Sequence, residues 1–299
     1  MLLSPPPELY TAADEVDLCL CLMNKVLTRN LGRIVFAAAM MLVAGFLGGC
    51  AHLTQKEFTF VQMCDPQLGF GDYEADLNRF EQAVEQINAL RPDFAVICGD
   101  LVHDPAKKSF GDFATARAKL AMTSHCAAGN HDIGNAPTGQ TLQVFRESVG
   151  KDYYSFEHRG FLFLVLNTQL WKSPLAGETE RQEAWLHQTL TAAARKGRPV
   201  FVVGHYPPFV KTPEEPDAYF NLPLEKRMEL LAAFERSGVV AVLAGHTHTT
   251  ALNHYHQIQV VNSETTSKNF DQRPFGFRLW RVTPSGHFQH EFVPLTRQN

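Results

Sequence analysis

Between residues 65 and 248, five apolar runs each end in a short motif whose side chains can ligate a metal ion. The motifs are Asp65-Pro66-Gln67, Gly99-Asp100, Gly129-Asn130-His131-Asp132, Gly204-His205 and Gly245-His246-Thr247-His248. No other feature of the chain constrains its fold as much. Each run reads as a β-strand, and open α/β sheets build their sites from loops at the carboxyl ends of strands. A fold that uses all five motifs must bring five strand ends to one place. Glycine precedes Asp100, Asn130, His205 and His246, where the chain turns off a strand and passes close to other loops.

Between the motifs the pattern alternates strand and helix. Residues 58–63 read as a strand, and 75–90 as a helix with Leu77, Phe80, Val84 and Ile87 at helical spacing. A buried strand is expected at 94–98, a helix at about 109–120, a weaker strand at 123–127 and a Thr138-capped helix at 138–149. A hairpin at 153–157 and 161–166 turns across His158-Arg159-Gly160. Helix 179–194, strand 199–203, helix 223–236 and strand 239–243 follow, and the tail from Leu252 alternates over three or four short strands. Strand–helix units followed by antiparallel strands imply an α/β fold of two packed sheets with helices outside. The longest irregular stretch, residues 206–222, is rich in proline and acid, and loops of that length near a site are often functional.

The first 50 residues read as a targeting segment rather than part of the fold. Lys25, Arg29 and Arg33 precede an apolar run of 14 residues, Ile34 to Leu47. That run is shorter than the roughly 20 residues a membrane-spanning helix needs. Leu47-Gly48-Gly49-Cys50 resembles a bacterial lipobox, in which the cysteine is lipidated and becomes the new N-terminus. Ala51 after it favours the outer membrane in the lipoprotein families this resembles. The expected address is extracytoplasmic, facing the periplasm or the cell surface, with a membrane anchor at Cys50. Alternatives are an uncleaved anchor or a plain signal peptide. Pro5-Pro6-Pro7 and four acidic residues are unusual ahead of a signal, and Met23 offers a more regular start. The expected division is therefore 1–50 as extension and signal, and 51–299 as the functional domain.

Net charge is −4, and residues 51–299 alone carry −3, so nothing suggests non-specific nucleic-acid binding. All 13 histidines follow residue 50. Cys64, Cys98 and Cys126 fall in or at the ends of expected strands, where a small buried thiol is the usual reading. A Cys64–Cys98 disulfide stays open at this level.

Asp65, Asp100, Asn130, His205, His246 and His248 are oxygen and nitrogen donors suited to Mn, Fe or Zn. Two such ions about 4 Å apart can share a carboxylate and a hydroxide. The motif set resembles the calcineurin-like metallophosphoesterase superfamily over nearly all of residues 56–299, and within it the subfamily of calcineurin-like phosphoesterase domain-containing protein 1. Phe220-Asn221-Leu222 and Ile133-Gly134-Asn135 are shared with that subfamily.

The resemblance implies a four-layered α/β/β/α sandwich. It assigns Asp65, Asp100 and His248 to a first metal, with Asp100 bridging, and Asn130, His205 and His246 to a second. His131 would stabilise the phosphoryl oxygens or protonate the leaving alcohol, and Asp132 would orient His131. Gln67 stands where most of the superfamily has a histidine ligand of the first metal, which predicts a loosely held ion.

The implied activity is hydrolysis of phosphate esters by attack of a metal-bound hydroxide. A phosphomonoesterase acting on phosphoserine or phosphothreonine protein is the first expectation, with small phosphorylated molecules as the other substrate class. The rival readings are a phosphodiesterase and a non-catalytic metal- or phosphate-binding surface lipoprotein. His103, His125, His158, His187, His254 and His256 are read as ordinary core or surface residues. Tyr206, Tyr219, Phe220 and Asn221 either line a cleft or pack the long loop.

Overall fold

The computed structural model describes residues 56–296; the expected signal and Cys50 lie outside them. One sheet holds β1 (Phe58–Met63), β2 (Phe94–Ile97), β3 (Thr123–Cys126), β10 (Gly276–Val282) and β11 (Phe288–Pro294), and the other β4 (Tyr154–His158), β5 (Phe161–Val165), β6 (Val200–Val203), β7 (Val239–Ala244), β8 (Ala251–Tyr255) and β9 (Ile258–Asn262). The first, five-stranded, has the order β11-β10-β1-β2-β3, and the second, six-stranded, the order β4-β5-β6-β7-β9-β8. Helices α1 (Tyr73–Leu90), α2 (Lys107–Arg117) and α4 (Gly139–Ser148) pack on the first sheet, and α6 (Glu178–Arg195) and α7 (Leu224–Arg236) on the second. The layers run α/β/β/α.

Side chains alternate between two apolar layers along each central strand, as strands buried on both faces require. In β1, Phe58 and Phe60 point between the sheets, while Val61 and Met63 point at the helices. In β6, Phe201 and Val203 face inward and Val200 and Val202 face α6 and α7. The inter-sheet layer is aromatic. Phe60 stacks on Phe94 with ring centroids 5.1 Å apart, and Phe163 on Phe201 at 4.9 Å. Emptying one such position, as in Phe60→Ala, costs about 3–5 kcal/mol. Gln62 is the polar exception. Its Nε2 donates to the carbonyls of Ala244 and Val261, and its Oε1 accepts from Trp280 Nε1 at 3.1 Å, so its burial is satisfied.

β1, β2 and β3 are mutually parallel, as are β5, β6, β7 and β9. This direction positions the site, because the loops after β1, β2, β3, β6 and β7 then open at one end of the sandwich. Two one-turn helices, α3 (Asn130–Ile133) and α5 (Gln169–Lys172), are too short to show a period in the sequence. α1 starts at Tyr73, ahead of the expected Ala75, because the Asp72 side chain accepts from Ala75 N and caps it. Cys64, Cys98 and Cys126 are free buried thiols, which closes the question of a Cys64–Cys98 bridge in this structure. Among the described residues no helix is long and apolar enough to cross a membrane.

Candidate metal centre

Asp65 and Gln67 leave β1, Asp100 leaves β2, Asn130 leaves β3, His205 leaves β6, and His246 and His248 leave β7. All seven are buried. The backbone there is strained in a consistent way. Among the described residues nine non-glycine residues have positive φ, and five of them are Asp65, Gln67, Asp100, His246 and His248. Such conformations cost about 1–3 kcal/mol each and persist where the surroundings enforce them. Here the enforcement comes from close packing of the loops. A Cβ on Gly129 would lie 2.1 Å from Asp100 Oδ1, and one on Gly245 would lie 2.3 Å from Asp65 Oδ2.

The donor atoms converge in two groups. His205 Nε2 lies 3.2 Å from Asp100 Oδ1, 3.1 Å from Asn130 Oδ1 and 3.1 Å from His246 Nδ1. Asp65, Asp100 and His248 form the first group, with His248 Nε2 3.6 Å from Asp65 Oδ1, and the donors around His205 form the second. In each group the Asp and His ligand atoms lie within 4.8 Å of one another, and Asp100 belongs to both. Gln67 Oε1 is buried with no hydrogen-bond partner, while its Nε2 lies 3.5 Å from His103 Nδ1. An orphaned buried carbonyl oxygen costs stability unless something binds it. This donor set, with one shared carboxylate and one unspent oxygen, fits a pair of divalent cations.

The histidines are held in the tautomers that ligation requires. His205 Nδ1 donates to the Cys98 carbonyl at 2.9 Å, His246 Nε2 to that of Tyr219 at 3.2 Å, and His248 Nδ1 to that of Lys268 at 2.6 Å. Each bond spends one ring N–H and leaves the other nitrogen's lone pair facing the donor group, the usual outer support of a metal-ligating histidine. None of these three carbonyls is visible as a motif, because a backbone acceptor has no side-chain signature.

Crowding of charge shifts the titrations. Burial pushes the Asp65 carboxyl up to about 6, against the opposing pull of His248 and His205. Burial alone would lower His205, but the charge and hydrogen bond of Asp100, with Asp65 behind, outweigh it and raise the imidazole to about 9. Burial opposes ionisation of Asp100 too, and His205 overcomes it and holds the carboxyl far below its ordinary value. Excess negative charge and paired protons of this kind are what bound cations would replace.

His131 is the second residue of α3, beside the first group. Its backbone amide donates to Asp100 Oδ1 at 2.9 Å, its Nδ1 donates to the His103 carbonyl at 3.0 Å, and its ring stacks on that of His103 with centroids 4.5 Å apart. The expectation that Asp132 orients His131 is corrected here. Asp132 Oδ1 accepts from the amides of Leu101 and Val102, and Oδ2 from that of Gly129. Neighbouring residues of a helix point in different directions, so Asp132 turns inward and ties the Asp100 loop to the Asn130 loop. Burial, then the charge of Asp100, push its carboxyl up to about 8. His103, read from the sequence as ordinary, takes the orienting place.

Residues 206–222 fold over the second group. Glu215 gathers the amides of Val210, Lys211 and Thr212 and the Asn221 side chain, and the buried Arg227 donates to its carbonyl at 2.8 Å. The loop so fixed places the rings of Tyr219 and Phe220 4.9 and 5.5 Å from that of His246, and the Tyr219 hydroxyl 3.4 Å from Asn130 Nδ2. Tyr206 packs inside, 3.9 Å from the same imidazole, and Asn221 is spent within the loop.

A two-sheet sandwich with a shared carboxylate between two His/Asp donor groups defines the class of dinuclear metal-dependent hydrolases. The calcineurin-like phosphoesterase family profile matches residues 54–250. The chain belongs to that family and is a metal-dependent phosphoester hydrolase. It is 35% identical over 281 residues to serine/threonine-protein phosphatase CPPED1 of Danio rerio, covering 84% of this chain and 91% of the relative. Against the Homo sapiens counterpart it is 34% identical over 252 residues, covering 76% and 80%. A dimetal phosphatase from Danio rerio shares the fold with a TM-score of 0.60 at 16% identity, over 80% of this chain and 99% of that one.

Proposed function

We propose that the chain is a phosphomonoesterase whose substrates are phosphoserine or phosphothreonine esters, and that its centre takes two ions drawn from Mn, Fe and Zn. The observation that supports this most is the sharing of Asp100 between the two donor groups. Two divalent ions held there by Asp65, Gln67, Asp100, Asn130, His205, His246 and His248 would polarise phosphoryl oxygens and supply a nucleophile at neutral pH.

The remaining steps belong to the protein. His131, its Nδ1–H committed to the His103 carbonyl, has only Nε2 to offer at the mouth of the site. Protonated there, it delivers a proton to the departing alkoxide. Asn130 Nδ2 donates to the Tyr219 hydroxyl, so that hydroxyl keeps its own proton for a phosphoryl oxygen. The relatives' name as serine/threonine-protein phosphatases supports the substrate class.

We further propose that residues 1–50 direct the protein out of the cytoplasm, and that lipidation of Cys50 anchors it at the membrane with the phosphatase domain facing the periplasm or the cell surface.

Hydrolysis of p-nitrophenyl phosphate against bis-p-nitrophenyl phosphate by the Mn-loaded protein tests the first proposal. The monoester is expected to be the better substrate. A better diester would make the chain a phosphodiesterase, and two bound ions without turnover would make it a binding protein. Release of the protein from membranes by Cys50→Ala tests the second.

A further inference from the structure

Three of the large apolar side chains that stay exposed, Tyr219, Phe220 and Phe270, surround the candidate metal centre. Exposed apolar surface gathered around a site marks a place where another molecule is held. On the His248 side the wall is made by Phe70 and Phe270. Their rings lie 5.1 and 4.9 Å from the imidazole of His248 and 6.2 Å from each other. The ammonium of Lys268 rests over both, 5.5 Å from one centroid and 5.9 Å from the other.

The backbone of Lys268 is fixed as well. Its carbonyl accepts from His248 Nδ1 at 2.6 Å and its amide donates to Thr265 Oγ1 at 3.0 Å. Among the described residues no carboxylate pairs with its ammonium; the nearby Glu264 and Asp271 are engaged by Arg273 and Arg278. A cation resting on aromatic faces is held in place without being neutralised. The site therefore offers a fixed, unspent positive charge beside the first donor group, on a wall that carries apolar contact surface.

We propose that Lys268, seated on Phe70 and Phe270, is a specificity-determining residue that takes a second anionic group carried by the alcohol part of the substrate. The preferred substrate class is then a phosphoester whose alcohol bears a carboxylate or a further phosphate close to the scissile group. An acidic residue next to a phosphoserine supplies this chemistry, and so does a small ester such as phosphoglycerate. This inference rests on the phosphomonoesterase reading above.

The test compares wild type, Lys268→Ala, Lys268→Glu and Lys268→Arg in the full-length, Mn-loaded protein. Substrates are matched pairs: a phosphoserine peptide with glutamate or alanine neighbours, and phosphoglycerate or glycerol phosphate. The readout is the ratio of kcat/KM for the acidic over the neutral member. It is expected to exceed one in wild type and to fall about fivefold in Lys268→Ala, the scale of an exposed charge pair. In Lys268→Glu it drops below one, and in Lys268→Arg it is kept. The change sits in KM and shrinks as salt screens the pair. Uncleavable phosphonate analogues of the two peptides, titrated calorimetrically into the same variants, read the preference without turnover.

A ratio restricted to the peptides or to the small esters supports the proposal and assigns the source of the anion. A ratio unchanged across the four variants, or near one in wild type, overturns it. Should p-nitrophenyl phosphate not be cleaved, the functional reading fails, and phosphonate binding alone then decides the role of Lys268.

Discussion

At the scale of single residues, the candidate donors were legible because hard and borderline ligands at strand ends have few structural uses. His246 and His248, on alternate positions after a glycine, are the plainest case, and both are buried with one ring nitrogen donating to a carbonyl. What the sequence could not show is which groups orient them. His103, whose carbonyl holds His131, is a lone histidine without a pattern, and the orienting role of Asp132 was an implication of the family resemblance rather than of any spacing. Gln67 is legible as a departure, and its orphaned oxygen shows how it can still serve. Replacing it by imidazole, as in Gln67→His, is expected to tighten the weaker of the two Zn-binding steps by about tenfold, since imidazole suits zinc better than an amide oxygen does. Calorimetric titration of the metal-stripped protein checks this; unchanged or weaker binding would mean that Gln67 does not face the ion.

At the scale of elements, helices and strands with a clear period were legible to within a few residues, and one-turn helices were not. The loops carry the site, and their close approach explains the glycines better than turning alone. Gly129→Ala places a Cβ 2.2 Å from Asp100 N, a backbone atom that cannot step aside. That substitution is expected to displace Asp100, to cost about 1–3 kcal/mol of stability as an overpacked site does, and to abolish metal binding. Gly111, inside α2, is the opposite case, because nothing lies within 4 Å of its Cβ position. Gly111→Ala is expected to stabilise the fold by about 0.5–1 kcal/mol. Denaturant melts of both variants check the pair. Equal effects would contradict the close-packing explanation.

At the scale of the whole molecule, the α/β class followed from the order of elements, and the four layers followed from the family resemblance. The strand order did not. That β10 lies beside β1, and that β9 sits between β7 and β8, depends on registers set between segments far apart in sequence. The two sheets also meet through histidines on opposite edge strands of the first. His125 in β3 stacks 3.5 Å from Phe156 in β4, and His290 in β11 bonds Gln259 in β9 at 3.2 Å. Burial, then Arg117, lowers His125 to about 4, and burial, then Arg278, lowers His290 to about 4. Their folded values lie below the ordinary 6.5, so the stability they contribute is full above pH 6.5 and is lost as pH falls from 6.5 through 4. Thermal melts from pH 7 to 4 should show a shallower acid loss in the His125→Phe/His290→Gln double variant than in wild type. Parallel curves would mean that these two residues do not contribute to the acid loss.

Five loops build one candidate site for two ions that would share Asp100. Electron paramagnetic resonance of the Mn-loaded protein, with metal content measured on the same sample, tests it most directly. Wild type is expected to hold two ions per chain with an exchange-coupled spectrum, and Asp100→Asn to lose that coupling. A single ion, or two ions with no coupling in wild type, would contradict it.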